Sequence, residues 1–123
     1  MRIPPLPTIG IVAMAAVSLS CKSPVQVCNL NFVYGLTVVV TDSVSGTPLV
    51  GLETRVEIRD GAYVDTLEQM TPTEYLGAGE RAGTYSVKVQ RSGYRVWLSN
   101  GIRVREDECH VIPVQVNARI QAE

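Results

Sequence analysis

Gly83–Tyr94 reads GTYSVKVQRSGY, and its first eight residues alternate without a break. Tyr85, Val87 and Val89 fall on one side and Ser86, Lys88 and Gln90 on the other. That two-residue period belongs to a strand with one face in a core and one in water. Ser92-Gly93 then stops it. The same period recurs upstream. Thr54, Val56 and Ile58 share one face of Glu53–Arg59, while Glu53, Arg55, Glu57 and Arg59 set alternating charge on the other. Leu36–Thr41 (LTVVVT) is β-branched nearly throughout, as a largely buried strand should be. No long helical period occurs anywhere in the chain, so the expected class is all-β.

Turn chemistry divides the rest. Asp42–Pro48 is dense in turn formers, and Asp60-Gly61 signals a hairpin into a weaker strand over Ala62–Leu67. Residues 68–82, interrupted by Pro72, Gly77 and Gly79, read as loops around at most one short edge strand. After Gly93, the alternation places Tyr94, Val96 and Leu98 inward and Arg95, Trp97 and Ser99 outward. Asn100-Gly101 reads as a hairpin turn. Ile102 and Val104 continue inward, Glu106-Asp107-Glu108 makes a charged turn, and the last strand turns Ile112, Val114, Val116, Ala118 and Ile120 inward. The expectation is a single seven-stranded antiparallel Greek-key sandwich over residues 35–123.

The first 20 residues have a different character. Arg2 carries one positive charge, Pro4, Pro5 and Pro7 exclude a regular helix at the very start, and Ile9–Leu19 runs without a charge. That stretch is shorter than the roughly 20 apolar residues a bilayer span requires. It has the build of a secretory signal, the alternative being a buried N-terminal strand or helix. Ser18-Leu19-Ser20-Cys21 resembles the lipobox of bacterial lipoproteins, whose Cys becomes the lipidated first residue, although Ser18 stands where that family usually has Leu. The resemblance implies lipidation at Cys21, a short tether over 21–34 and a membrane as partner, in the bacterial cell envelope. Ordinary cleavage nearby, with Cys21 left as a thiol, is the other outcome. Two or more acyl chains anchor stably where a single chain does not. With lipid on Cys21, Cys28 and Cys109 remain to pair in an oxidising compartment; otherwise Cys28 is a second thiol near the tether. Loss of Arg2 leaves 10 basic residues against 12 acidic ones, without the basic balance of a nucleic-acid-binding domain.

Leu36–Ile58 (LTVVVTDSVSGTPLVGLETRVEI) and Gly83–Tyr94 together resemble carboxypeptidase regulatory-like domains, which are prealbumin-like sandwiches. The shared pattern is a strand, an Asp-led turn, Gly-x-Pro-Leu-x-Gly, a second strand, and later Gly-x-Tyr followed by Gly-Tyr. The resemblance spans about residues 35–120 and implies a noncatalytic accessory module that stabilises, spaces or binds. Pro48 and Gly51 shape the crossing between strands, and Tyr85 offers a hydroxyl to a backbone partner at the rim. The chain lacks the His, Arg and C-terminal features of the hydroxyisourate-hydrolysing branch of prealbumin-like proteins. It also lacks the first-strand Lys that isopeptide-forming fibre domains use.

The residues with chemical potential are few. His110 stands alone and reads as a strand-start residue beside Cys109, the two pointing to opposite faces. Glu106-Asp107-Glu108 is an incomplete Ca²⁺ cage and reads as a solvated turn. No metal, cofactor or catalytic set is expected. Trp97, placed outside beside Arg95, suits a protein partner or a sugar ring. Two functions follow as expectations: a structural or protein-interaction module on the envelope, or a module that binds carbohydrate or a small ligand.

Overall fold

The computed structural model describes residues 2–5, 10 and 27–123. Cys21, nearly all of the apolar stretch before it, and the tether as far as Gln26 lie outside the described residues.

Eight strands form: β1 (Tyr34–Asp42), β2 (Thr54–Asp60), β3 (Tyr63–Thr66), β4 (Glu68–Gln69), β5 (Tyr75–Gly79), β6 (Gly83–Arg91), β7 (Trp97–Val104) and β8 (Val114–Ile120). They make two four-stranded sheets, ordered β4-β5-β1-β8 and β3-β2-β6-β7. Leu36, Val38, Val40, Val116, Ala118 and Ile120 from the first sheet meet Val56, Ile58, Tyr85, Val87 and Val89 from the second in one core. The result is an all-β sandwich. The inward sets read from alternation in β2 and β6 are the buried ones, with Val56, Ile58, Tyr85, Val87 and Val89 fully inaccessible.

The pairing departs from a purely antiparallel fold at one place. β1 runs parallel to β8, from Leu36 opposite Val114 to Asp42 opposite Ile120, so the first and last strands lie side by side. The strand number also exceeds the expected seven. Residues 68–82 hold β4 and the interior strand β5, which sits between β4 and β1. Gly77 and Gly79 hid it. In the fold their missing side chains make room for Leu67 and Phe32, which occupy the space a Cβ would need.

Asn100-Gly101 does not form a hairpin. Both residues lie inside β7, where the register passes from Tyr85 opposite Ile102 to Val87 opposite Ser99. β7 thus has one more residue than β6 between those pairs, a β-bulge with Gly101 at φ +70°. The extra residue inverts the alternation on its N-terminal side. Trp97 therefore lies opposite inward Val89 and packs on the core, while Val96 and Leu98 are exposed. This overturns the expected facing of residues 96–99, whereas Tyr94 packs against the core and Arg95 is exposed. Ile112 is exposed as well, because Pro113 separates it from the start of β8.

Tyr85 is completely buried, and its hydroxyl donates to the Arg81 carbonyl at 2.7 Å while accepting from Arg81 Nη1 at 3.0 Å. Tyr85→Phe strands that carbonyl and is expected to lower unfolding stability by about 1–2 kcal/mol, with the fold intact. Urea unfolding followed by fluorescence measures it.

Candidate functional site

The sandwich has two ends of different chemistry. One is where β1 begins, and there the residues just before β1 are laced to the domain. Cys28 and Cys109 form a disulfide with Cα atoms 5.1 Å apart, across a sequence separation of 81. Val33 N–H donates to Glu80 Oε1 at 2.8 Å, and Glu80 N–H donates to the Val33 carbonyl at 2.8 Å. His110 sits between them. Its Nδ1 lies 2.7 Å from Glu80 Oε1 and its Nε2 lies 2.7 Å from Asn29 Oδ1. Burial alone would raise the Glu80 carboxyl, but hydrogen bonds from Val33 N–H and His110 outweigh it and hold the group below its ordinary value.

His110 is thus no strand-start residue. Residues 105–112 form a tight excursion in which Asp107 Oδ1 accepts from the N–H groups of both Cys109 and His110 at 2.8 Å. Those bonds bend the backbone, so Cys109 and His110 both reach the tether instead of opposite faces. Asp107 is held below its ordinary pKa by them, the His110 N–H first. The acidic run therefore serves a turn. Among the described residues, no group of three or more His, Cys, Asp and Glu side chains is placed to hold a metal ion. Asn29 and Glu80 carry no motif that would have marked them, since their partner lies 81 and 30 residues away.

The other end lies about 25 Å along β1, from the rise of a nine-residue strand. Here Asp42 closes β1 by accepting from Val44 and Ser45 N–H, both at 2.9 Å, and from the Tyr94 hydroxyl at 2.7 Å. The Tyr94 hydroxyl thus meets a carboxylate at the rim. Beside this turn Arg95, Val96, Trp97, Arg119 and Gln121 line a shallow groove where β7 begins and β8 ends. The Arg95 N–H donates to the Gln121 carbonyl at 2.8 Å, joining the two edges. Trp97 and Arg95 both line this groove, although Trp97 faces the core and offers only the part of its ring that the core leaves uncovered. Sequence reasoning missed Arg119 as their neighbour. Arg119 Nη2 donates to the Ser43 carbonyl at 3.2 Å, and neither arginine forms an ion pair among the described residues. The groove therefore presents two guanidinium groups and an indole, which suits a carboxylate or phosphate beside a flat apolar face.

Compared with known proteins, the chain matches no protein-family model and no curated protein.

The turn at the distal end has a pH signature. Hydrogen bonds from Ser45 N–H, the Tyr94 hydroxyl and Val44 N–H, in that order, hold Asp42 at about 2 against an ordinary 3.8. A depressed folded-state pKa means that Asp42 adds stability above pH about 4, which is lost as pH falls toward 2. Asp42→Asn is expected to lower stability at neutral pH and to flatten its decline in that acid window, as read by urea midpoints across pH.

Proposed function

We propose that this protein is a noncatalytic lipoprotein of the bacterial cell envelope, whose sandwich serves as a structural or protein-interaction module. In this reading residues 1–20 are a lipoprotein-type signal peptide and Cys21 carries the lipid. Residues 35–123 form a carboxypeptidase regulatory-like, prealbumin-like Greek-key domain. The observation that carries the proposal is the disulfide that fastens Cys28, seven residues after the lipidation site, to the far side of the domain sequence. A short tether locked to one end of a sandwich leaves the groove at the other end, with Trp97 and Arg95, clear of the attachment point. An exported, oxidising setting also agrees with a disulfide that joins two of three cysteines. Intact mass of the mature protein from its native envelope tests the reading. A chain starting at Cys21 with acyl mass, gaining about two mass units on reduction of one disulfide, is the expected result. An unmodified N-terminus removes the anchor from the proposal.

The groove favours a second reading, a carbohydrate-binding module. Trp97 supplies the stacking face and Arg95, Arg119 and Gln121 the polar contacts. If that holds, a glycan-array signal falls by about tenfold or more in Trp97→Phe, whose ring is smaller and lacks the N–H, without a change in unfolding cooperativity. No glycan signal for the wild-type chain leaves the protein-interaction reading in place.

A further inference from the structure

The outward face of the β3-β2-β6-β7 sheet belongs to neither the disulfide end nor the groove. Two cross-strand rows define it. One runs Val64–Arg59–Ser86 and the next Thr66–Glu57–Lys88–Leu98, with Arg55 opposite Gln90 at one end and Thr84 opposite Arg103 at the other. Charge on this face is unequal. Glu57 is its central carboxylate, with Arg59 Nε at 3.0 Å and Arg55 Nη2 at 3.5 Å. Lys88 lies directly across the strand pair. Glu53, at the margin, is already paired with Arg91 at 3.2 Å. Arg55, Arg59, Lys88 and Arg103 therefore stand on these rows with one acid among them, Glu57. Arg55 and Arg59 keep about 60% of their side chains in solvent, with values of 61% and 59%.

Aliphatic side chains flank this cationic centre on both edge strands. Val64 on β3 and Leu98 on β7 are 46% and 59% exposed. The bulge at Gly101 is what turns Leu98 outward, in place of Trp97. An open sheet about 14 Å across, basic in the middle and apolar at its edges, matches a planar anionic surface with an apolar layer beneath.

We propose that this face docks on an anionic lipid bilayer. The place of a bilayer beside the domain rests on the anchored reading given above. The seven residues from Cys21 to Cys28 reach at most about 25 Å, and the face runs from the disulfide end, at Thr84 and Arg103, to Gln90 and Arg55. A lipid on Cys21 therefore lets the sandwich lie lengthwise on the membrane. The acyl chains and the basic face act as two attachment signals, of which the second selects acidic headgroups.

Lys88 reports the contact, since Lys22 and Lys88 are the chain's only lysines. The full mature protein is placed with vesicles of phosphatidylcholine, with or without phosphatidylglycerol. Acylation of the Lys88 amine by a water-soluble succinimidyl ester is then followed by mass spectrometry. Lys88 is expected to react about fivefold more slowly on the anionic vesicles, the weight of one basic side chain at such a surface, and to recover at high salt. The double variant Arg55→Gln/Arg59→Gln, altered only at exposed positions, is expected to react equally on both. Equal rates for the wild-type chain overturn the proposal. Protection by a soluble acidic polysaccharide without protection by vesicles overturns it in favour of a glycan partner. The vesicles can also be added to a lipid-free chain, so failure of the anchor, read by intact mass, is separable from failure of the face.

Discussion

The parallel pairing of β1 with β8 is the constraint around which the rest of the molecule is arranged. It aligns Leu36, Val38 and Val40 with Val114, Val116 and Ala118, so the first and last strands jointly cover one side of the core. Two parallel neighbours cannot be joined by a short turn. The chain between them must travel the length of the sandwich, and it does so by building the second sheet and the β4–β5 pair on the way. Because the partners lie at opposite ends of the sequence, the β4-β5-β1-β8 sheet is not complete until the final strand docks.

What alternation could reveal, it revealed well. β2 and β6 are interior strands with a dry inner face, and their inner residues are the ones solvent does not reach. The failures have physical causes. Period-two reading assumes one residue per partner, and the extra residue at Asn100-Gly101 breaks that assumption. The facings of Val96, Trp97, Leu98 and Ser99 were inverted as a result. β5 failed differently. Its sequence, Tyr75–Gly79, contains two glycines that mark loops elsewhere, yet here they admit Leu67 and Phe32 against the sheet. Short-range pattern contains neither fact.

The candidate sites were legible in proportion to their locality. Arg95 and Trp97 sit two residues apart, so their association survived even a wrong facing. Cys28 and Cys109 were found by counting, since only three cysteines exist. By contrast, the contacts of His110 with Asn29 and Glu80, and of Tyr94 with Asp42, join distant positions with ordinary side chains. The sheet face around Glu57 was half visible. Alternating charge within Glu53–Arg59 could be read, whereas the excess of cations appears only once Lys88 and Arg103 are aligned beside it.

The disulfide also decides how the domain bears load. Tension arriving through the N-terminal segment crosses from Cys28 directly to Cys109, and residues between them cannot be drawn out while the bond holds. The stretch that can still yield is the one after Cys109, which is β8. β8 ends beside Asp42, at the opposite pole from the disulfide, and runs parallel to β1. A pull between the two poles therefore acts along the strands. It shears the whole β1–β8 ladder at once, so its hydrogen bonds share the force and do not open one by one from an end.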